Sequence, residues 1–116
     1  MNHITVTENS VRILREMKAL LSGGWTKGAP ARDAAGASVR ADSPKAVSFC
    51  LIGAGERALR NLGRSECDFY YTSAFRALSP EKSSYSIAVW ECQDGRTQAE
   101  VLALIDRAIE IAETEQ

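Results

Sequence analysis

Residues 44–62 read Pro44-Lys45-Ala46-Val47-Ser48-Phe49-Cys50-Leu51-Ile52-Gly53-Ala54-Gly55-Glu56-Arg57-Ala58-Leu59-Arg60-Asn61-Leu62, and the fold turns on whether they coil as one element. Ser43-Pro44 offers a helix N-cap followed by proline at the first helical position, where its missing N–H costs nothing. Ala46, Val47, Phe49, Cys50, Leu51, Ile52 and Ala54 then make the segment apolar on most sides. A helix apolar around most of its circumference belongs inside a core. The stretch therefore predicts one buried helix from Pro44 to about Leu62, more polar in its second half, as the central element of the fold.

Upstream, Ile13, Leu14, Met17, Leu20 and Leu21 recur along one face of a helix over Glu8 to Leu21, opposite Arg12, Arg15, Glu16 and Lys18. Thr7 is placed to cap its start, and Gly23-Gly24 ends it. Between Trp25 and Asp42 the chain is polar, and Asp33-Ala34-Ala35-Gly36 reads as a turn between two short extended segments, about Thr26 to Arg32 and Ala37 to Arg40, in a small hairpin or ordered loop. Downstream, Tyr71, Ala74, Phe75 and Leu78 line a short helix around Asp68 to Leu78, which Ser79-Pro80 stops. Tyr85, Ile87 and Val89 alternate with small residues and suggest a short strand, with a helical turn as the alternative. After the Asp94-Gly95 turn, Thr97 and Glu100 form a Thr-x-x-Glu capping box. Val101, Leu104, Ile105, Ala108, Ile111 and Ala112 carry a last helix nearly to the C-terminus. The expected fold is mainly α (α+β): about four helices around a central apolar helix, with a small β-hairpin or ordered loop after the first.

A length of 116 residues suits one hydrophobic core, so residues 1–116 read as a single domain. With 45% hydrophobic and 25% charged residues the composition is that of a globular chain, without a disorder signature. The N-terminus lacks a basic region followed by an apolar run, and no stretch approaches a membrane span, which points to the cytoplasm and away from a membrane. Cys50, Cys67 and Cys92 are odd in number and form no Cys-x-x-Cys pair. They fit reduced thiols better than a disulfide framework or a zinc site. The net charge of −1 hides a segregation, with ten Lys/Arg against five Asp/Glu in residues 1–64 and four against ten in residues 65–116. Either basic and acidic elements pack side by side, here or across a dimer, or the N-terminal half offers a basic face.

Gly53-Ala54-Gly55-Glu56-Arg57-Ala58 matches Gly-x-Gly-x-x-Ala and follows an apolar run, as a dinucleotide-binding turn would. That reading needs Val47 to Ile52 to be a strand, and the chain has neither repeated strand–helix units nor an acidic ribose partner at the expected distance. The alternative use of these glycines is close approach of another helix. Triad, phosphate-loop and zinc-protease motifs are absent, and the one histidine, His3, lies at the N-terminus. Glu16, Asp33, Glu56 and Glu91 pair with nothing by spacing and read as solvated-face carboxylates. No catalytic, metal or cofactor-binding residue is assigned and no cofactor is implied. Tryptophan and arginine are residue types that anchor binding surfaces. Trp25, Lys27, Arg32, Asp33, Trp90 and Arg96 are accordingly the candidate binding residues.

Several segments together resemble an uncharacterised family of small bacterial and phage proteins. They are Gly24-Trp25-Thr26-Lys27-Gly28-Ala29, then Ala31-Arg32-Asp33-Ala34 and Gly36, then Cys50-Leu51 with Gly53-Ala54. Arg96-Thr97 with Glu100-Val101-Leu102 and Asp106-Arg107-Ala108-Ile109 complete the set. The likeness spans nearly the whole chain. Where that family commonly reads Cys-Trp-Cys this chain has Ser48-Phe49-Cys50, and where its later tryptophan precedes Asn-Asp this chain has Trp90-Glu91-Cys92. The resemblance implies a compact domain, a phage or mobile-element setting, and no activity to carry over. The expected function is a non-enzymatic interaction or regulatory protein with a protein partner, a homodimer being one such pairing. Two alternatives stand beside it. One is nucleic-acid binding through Lys18, Lys27, Arg32, Arg40, Lys45, Arg57, Arg60 and Arg64; the other is small-ligand or nucleotide binding at Gly53 to Ala58.

Overall fold

A computed structural model describes residues 6–64, 66–78 and 84–114 of the chain. His3 and the Ser79-Pro80 stop lie outside the described residues, as do the side chains of Thr7, Cys67 and Tyr85. Helix α1 spans Val6–Gly23 and buries Ile13, Leu14, Met17 and Leu21, the face its spacing predicts. It starts earlier than expected, so that Thr7 lies inside the helix and not at its cap. The chain then forms β1 (Ala31–Arg32) and β2 (Ser38–Val39), an antiparallel hairpin in which Ala31 faces Val39. Its turn is the expected one. Asp33 Oδ1 accepts the Ala35 and Ala37 N–H groups at 3.0 and 2.9 Å, and Gly36 takes φ 85°, a left-handed value that glycine adopts without steric cost.

The stretch 44–62 divides, contrary to the reading of one helix. Ser43 Oγ accepts the Lys45 N–H and Ser43 O the Ala46 N–H, so the Ser-Pro pair opens a turn and not a helix. Ser48–Phe49 is β3, antiparallel to β1 in a sheet ordered β2-β1-β3. On its other side Phe49 N donates to Gly24 O and Phe49 O accepts from Thr26 N, both at 3.0 Å. Helix α2 begins only at Leu51 and runs to Asn61. Backbone partners on two neighbouring segments thus claim residues 47–49 before a helix can, and Val47 is 52% exposed instead of buried.

Beyond α2, a 3-10 turn over Glu66–Tyr71 leads into α3 (Ser73–Leu78), where a single helix was expected. Thr72 divides them: its hydroxyl donates to Phe69 O at 2.7 Å and accepts the Phe75 N–H at 3.1 Å, capping α3. Residues 84–91 are helix α4 and not the strand suggested by alternation. Helix α5, Gln98–Thr114, starts at the predicted capping box, with Thr97 N on Glu100 Oε1 at 2.9 Å and Glu100 N on Thr97 Oγ1 at 3.2 Å.

The hub is α1, which packs on α2, α3, α5 and β3; α2 packs on α1, α4, β3 and the 3-10 turn. Between them lie Leu14, Met17, Leu51, Leu59, Phe69, Val101 and Ile105, all fully buried. The charge segregation is used here. Arg15 pairs with Glu113 at 2.9 Å and Lys18 with Asp106 at 2.7 Å, joining basic α1 to acidic α5. The two GxGxxA glycines serve packing. A Cβ on Gly53 would lie 1.9 Å from Pro30 O, and one on Gly55 would lie 2.4 Å from the Phe69 ring. Among the described residues no helix is long and apolar enough to cross a membrane.

Candidate functional site

Four of the six candidate binding residues meet at one junction, where the segment after α1 lies against the end of α4. Trp25 Nε1 donates to Glu91 Oε2 at 2.8 Å, and Lys27 Nζ to Gln93 O at 2.9 Å. Arg96 lies with its guanidinium carbon 3.9 Å from the centre of the Trp90 ring. It donates through Nε to Trp90 O at 2.9 Å and through Nη2 to Gln93 Oε1 at 2.7 Å. Arg32 stands behind this junction and braces its loop, with donations to Thr26 Oγ1, Gly36 O and Lys27 O. Asp33 lies apart in the hairpin turn. The polar groups of these residues are largely taken up in holding the chain to itself.

The residue at the centre of the junction is Glu91, which sequence reading placed on a solvated face. It is 3% exposed. Its Oε2 accepts the Trp25 indole N–H and also the Leu51 backbone N–H at 2.7 Å, one of the free donors at the start of α2. Burial pushes its carboxyl above the usual carboxylate range, against the two N–H donors and the Lys27 charge, which pull it down. Beside it Cys50 is the N-cap of α2, its Sγ accepting the Gly53 N–H at 3.3 Å. Burial, helped by the Glu91 charge, pushes this thiol up to about 11, so it is protonated and a poor nucleophile at neutral pH. A signal for Glu91 was present. A carboxylate closing an apolar helix opposes the helix dipole and needs a reason to be there.

Of the eight cations proposed as a basic face, five are engaged within the chain. Lys18 pairs with Asp106 and Arg40 with Asp42, while Lys27 and Arg32 bind loop carbonyls. Arg57 Nη1 reaches Ala41 O at 2.8 Å and Ser43 O at 2.9 Å, and its guanidinium carbon sits 5.6 Å from the centre of the Phe49 ring. Among the described residues no group of three or more His, Cys, Asp or Glu side chains is placed to hold a metal ion.

An accessible site lies elsewhere, where α1 meets the end of α2 and the 3-10 turn. An open cleft of about 180 Å³ is lined by Asn9, Ser10, Ile13, Arg64, Tyr71, Thr72 and Ser73. Its floor is buried: Ser10, Ile13 and Thr72 are buried, and Phe69, two residues before Tyr71, is fully buried against Phe75 with ring centroids 5.6 Å apart. Tyr71 itself is 82% exposed, and Tyr70 beside it is 43% exposed. Sequence reading put Tyr71 on the inner face of one continuous helix; the break at Thr72 turns it outward.

The model of a family of unknown function, DUF6197, matches residues 5–111. No curated protein and no solved structure matches the chain.

Proposed function

We propose, for a chain that belongs to DUF6197 and so inherits no activity from its family, that the protein is a non-enzymatic interaction protein. It binds a protein partner, and regulates it, through the cleft bounded by Arg64 and Tyr71. The observation that carries this reading is the exposure of Tyr71 at the lip of a cleft with a buried floor. Tyrosine and arginine are the side chains most often found as interface anchors, since each brings a large flat surface with a polar end. A side chain fixed at its base loses little freedom when a partner covers it. The groups at the Trp25–Glu91 junction, by contrast, are bonded within the chain, and the Cys50 thiol is protonated. The setting we infer is a reducing cytoplasm, of a bacterium or of a phage or mobile element within it. The free thiols of Cys50 and Cys92 support it.

The experiment is affinity capture from host lysate with the wild type and with Tyr71→Ala and Arg64→Ala, each checked for an unchanged unfolding midpoint. A protein retained by the wild type and lost by both variants is the expected result. A set of captured proteins identical across all three, or turnover of a metabolite by the purified chain, sinks the reading. Retention of a second copy of the chain itself would identify the partner as a homodimer.

A further inference from the structure

Three segments distant in sequence converge on one buried oxygen. Glu91 Oε2, at the end of α4, holds the Trp25 indole on the segment after α1 and the Leu51 N–H at the start of α2. The groups that face this carboxyl are few. The Cys50 thiol lies on the α2 side, and Lys27 on the Trp25 side, where its Nζ is bound to Gln93 O. Among the described residues none makes an ion pair with Glu91. The charged form of a buried carboxyl without an ion-pair partner loses hydration that two N–H bonds replace only in part. The neutral form keeps a carbonyl oxygen able to accept the same two bonds.

We propose that Glu91 is a proton-gated latch on the Trp25 segment: proton uptake favours the closed junction, and proton loss favours release of Trp25 from the start of α2. The sign is opposite to that of an ordinary acid-labile carboxylate. A carboxyl that titrates higher when folded than when exposed contributes most to stability below the ordinary glutamate range. That contribution is lost as the pH rises through its folded value. Burial acts in this direction at Glu91 and outweighs the donors. Opening the segment would return the carboxylate to water and free the indole ring, so the exposure of Trp25 reports the state of the latch.

The test follows the Trp25 indole N–H resonance of the full-length chain from pH 4 to pH 8, assigned by its persistence in Trp90→Phe. Urea unfolding of the wild type and of Glu91→Gln over the same range accompanies it. The indole resonance is expected to titrate above the ordinary glutamate range, with acrylamide quenching of Trp25 in Trp90→Phe greater at pH 8 than at pH 5. The wild-type urea midpoint should fall relative to Glu91→Gln as the pH rises. A flat resonance, a titration at or below the ordinary glutamate range, or a wild type that gains on Glu91→Gln with rising pH overturns the proposal. Should Glu91→Gln not fold, the resonance and the quenching of Trp25 decide it alone.

Discussion

Replacing Gly53 with alanine separates two readings of the same glycines. In an ordinary helix Gly→Ala gains about 1 kcal/mol of helical propensity. Here the added Cβ would stand 1.9 Å from Pro30 O and 2.8 Å from Pro30 C, both backbone atoms. Pro30 O also accepts the N–H of Cys50, the cap of α2, at 3.2 Å, so moving it away strains that bond as well. Overpacking costs about 1–3 kcal/mol, and a weakened buried hydrogen bond adds about 1 kcal/mol. Set against the propensity gain, the net loss is about 1–3 kcal/mol. Unfolding entropy scaled to this length makes 1 kcal/mol about 4 °C, so the midpoint should fall by roughly 4–12 °C. The assay is thermal and urea unfolding followed by circular dichroism, with Gly23→Ala as control, because a Cβ at Gly23 meets nothing within 4 Å. A Gly53→Ala midpoint within a couple of degrees of wild type would refute the close-contact reasoning. A midpoint restored by added nucleotide would instead favour the phosphate-binding use of the motif.

Two further outcomes follow from the caps and the thiols. Thr97→Ala removes the hydroxyl that accepts the Glu100 N–H and leaves the Thr97 N–H on Glu100 Oε1 in place. It should cost about 1 kcal/mol, read as a lowered urea midpoint at unchanged slope; a shift within error would show that α5 does not depend on its box. A Cys67→Ser, Cys92→Ser variant, in which Cys50 is the remaining thiol, should label with a disulfide reagent at pH 8 far more slowly than a free small thiol, since this half-buried thiol titrates at about 11. Labelling at the rate of a free small thiol would show that the α2 cap is open to solvent.

The parts of the fold written in local chemistry were legible in the sequence. Helices α1 and α5 carry long apolar stripes, the box at Thr97 fixes where α5 begins, and the Asp33 to Gly36 turn uses an aspartate and a left-handed glycine. The stretch 44–62 was misread because its division depends on distant partners. Residues 48–49 are extended because Gly24, Thr26, Ala31 and Arg32 take up their backbone or stand opposite them, and none of these is visible from residue 44. Cysteine is not a favoured N-cap, so Cys50 gave no start signal for α2. Helix α4 is apolar on several sides. Its period-two pattern over Tyr85, Ile87 and Val89 was therefore coincidental: Ile87 is buried while Val89 is 44% exposed. At the site, residue type located the junction of Trp25, Lys27, Trp90 and Arg96. It could not reveal that these side chains are joined to one another through Glu91 and Gln93.

That internal joining bears on where the partner we propose can bind. A short strand followed by a helix opening on Gly-x-Gly has the local shape of a phosphate-binding turn, and the start of such a helix attracts anions because its first N–H groups lack partners. In this chain those donors are already engaged. Leu51 N–H goes to Glu91, Gly53 N–H goes to Cys50 Sγ, and Pro30 covers the face that the absent Cβ of Gly53 leaves open. A phosphate would have to displace a carboxylate tethered to the same fold and separate two backbones in contact. The donors at the start of α2 are thus satisfied from within, and the same Glu91 carboxyl fastens α4 and the Trp25 segment to it. With the junction and the start of α2 both closed in this way, the partner we propose is left with side chains that the core fixes but does not cover, as at Tyr71.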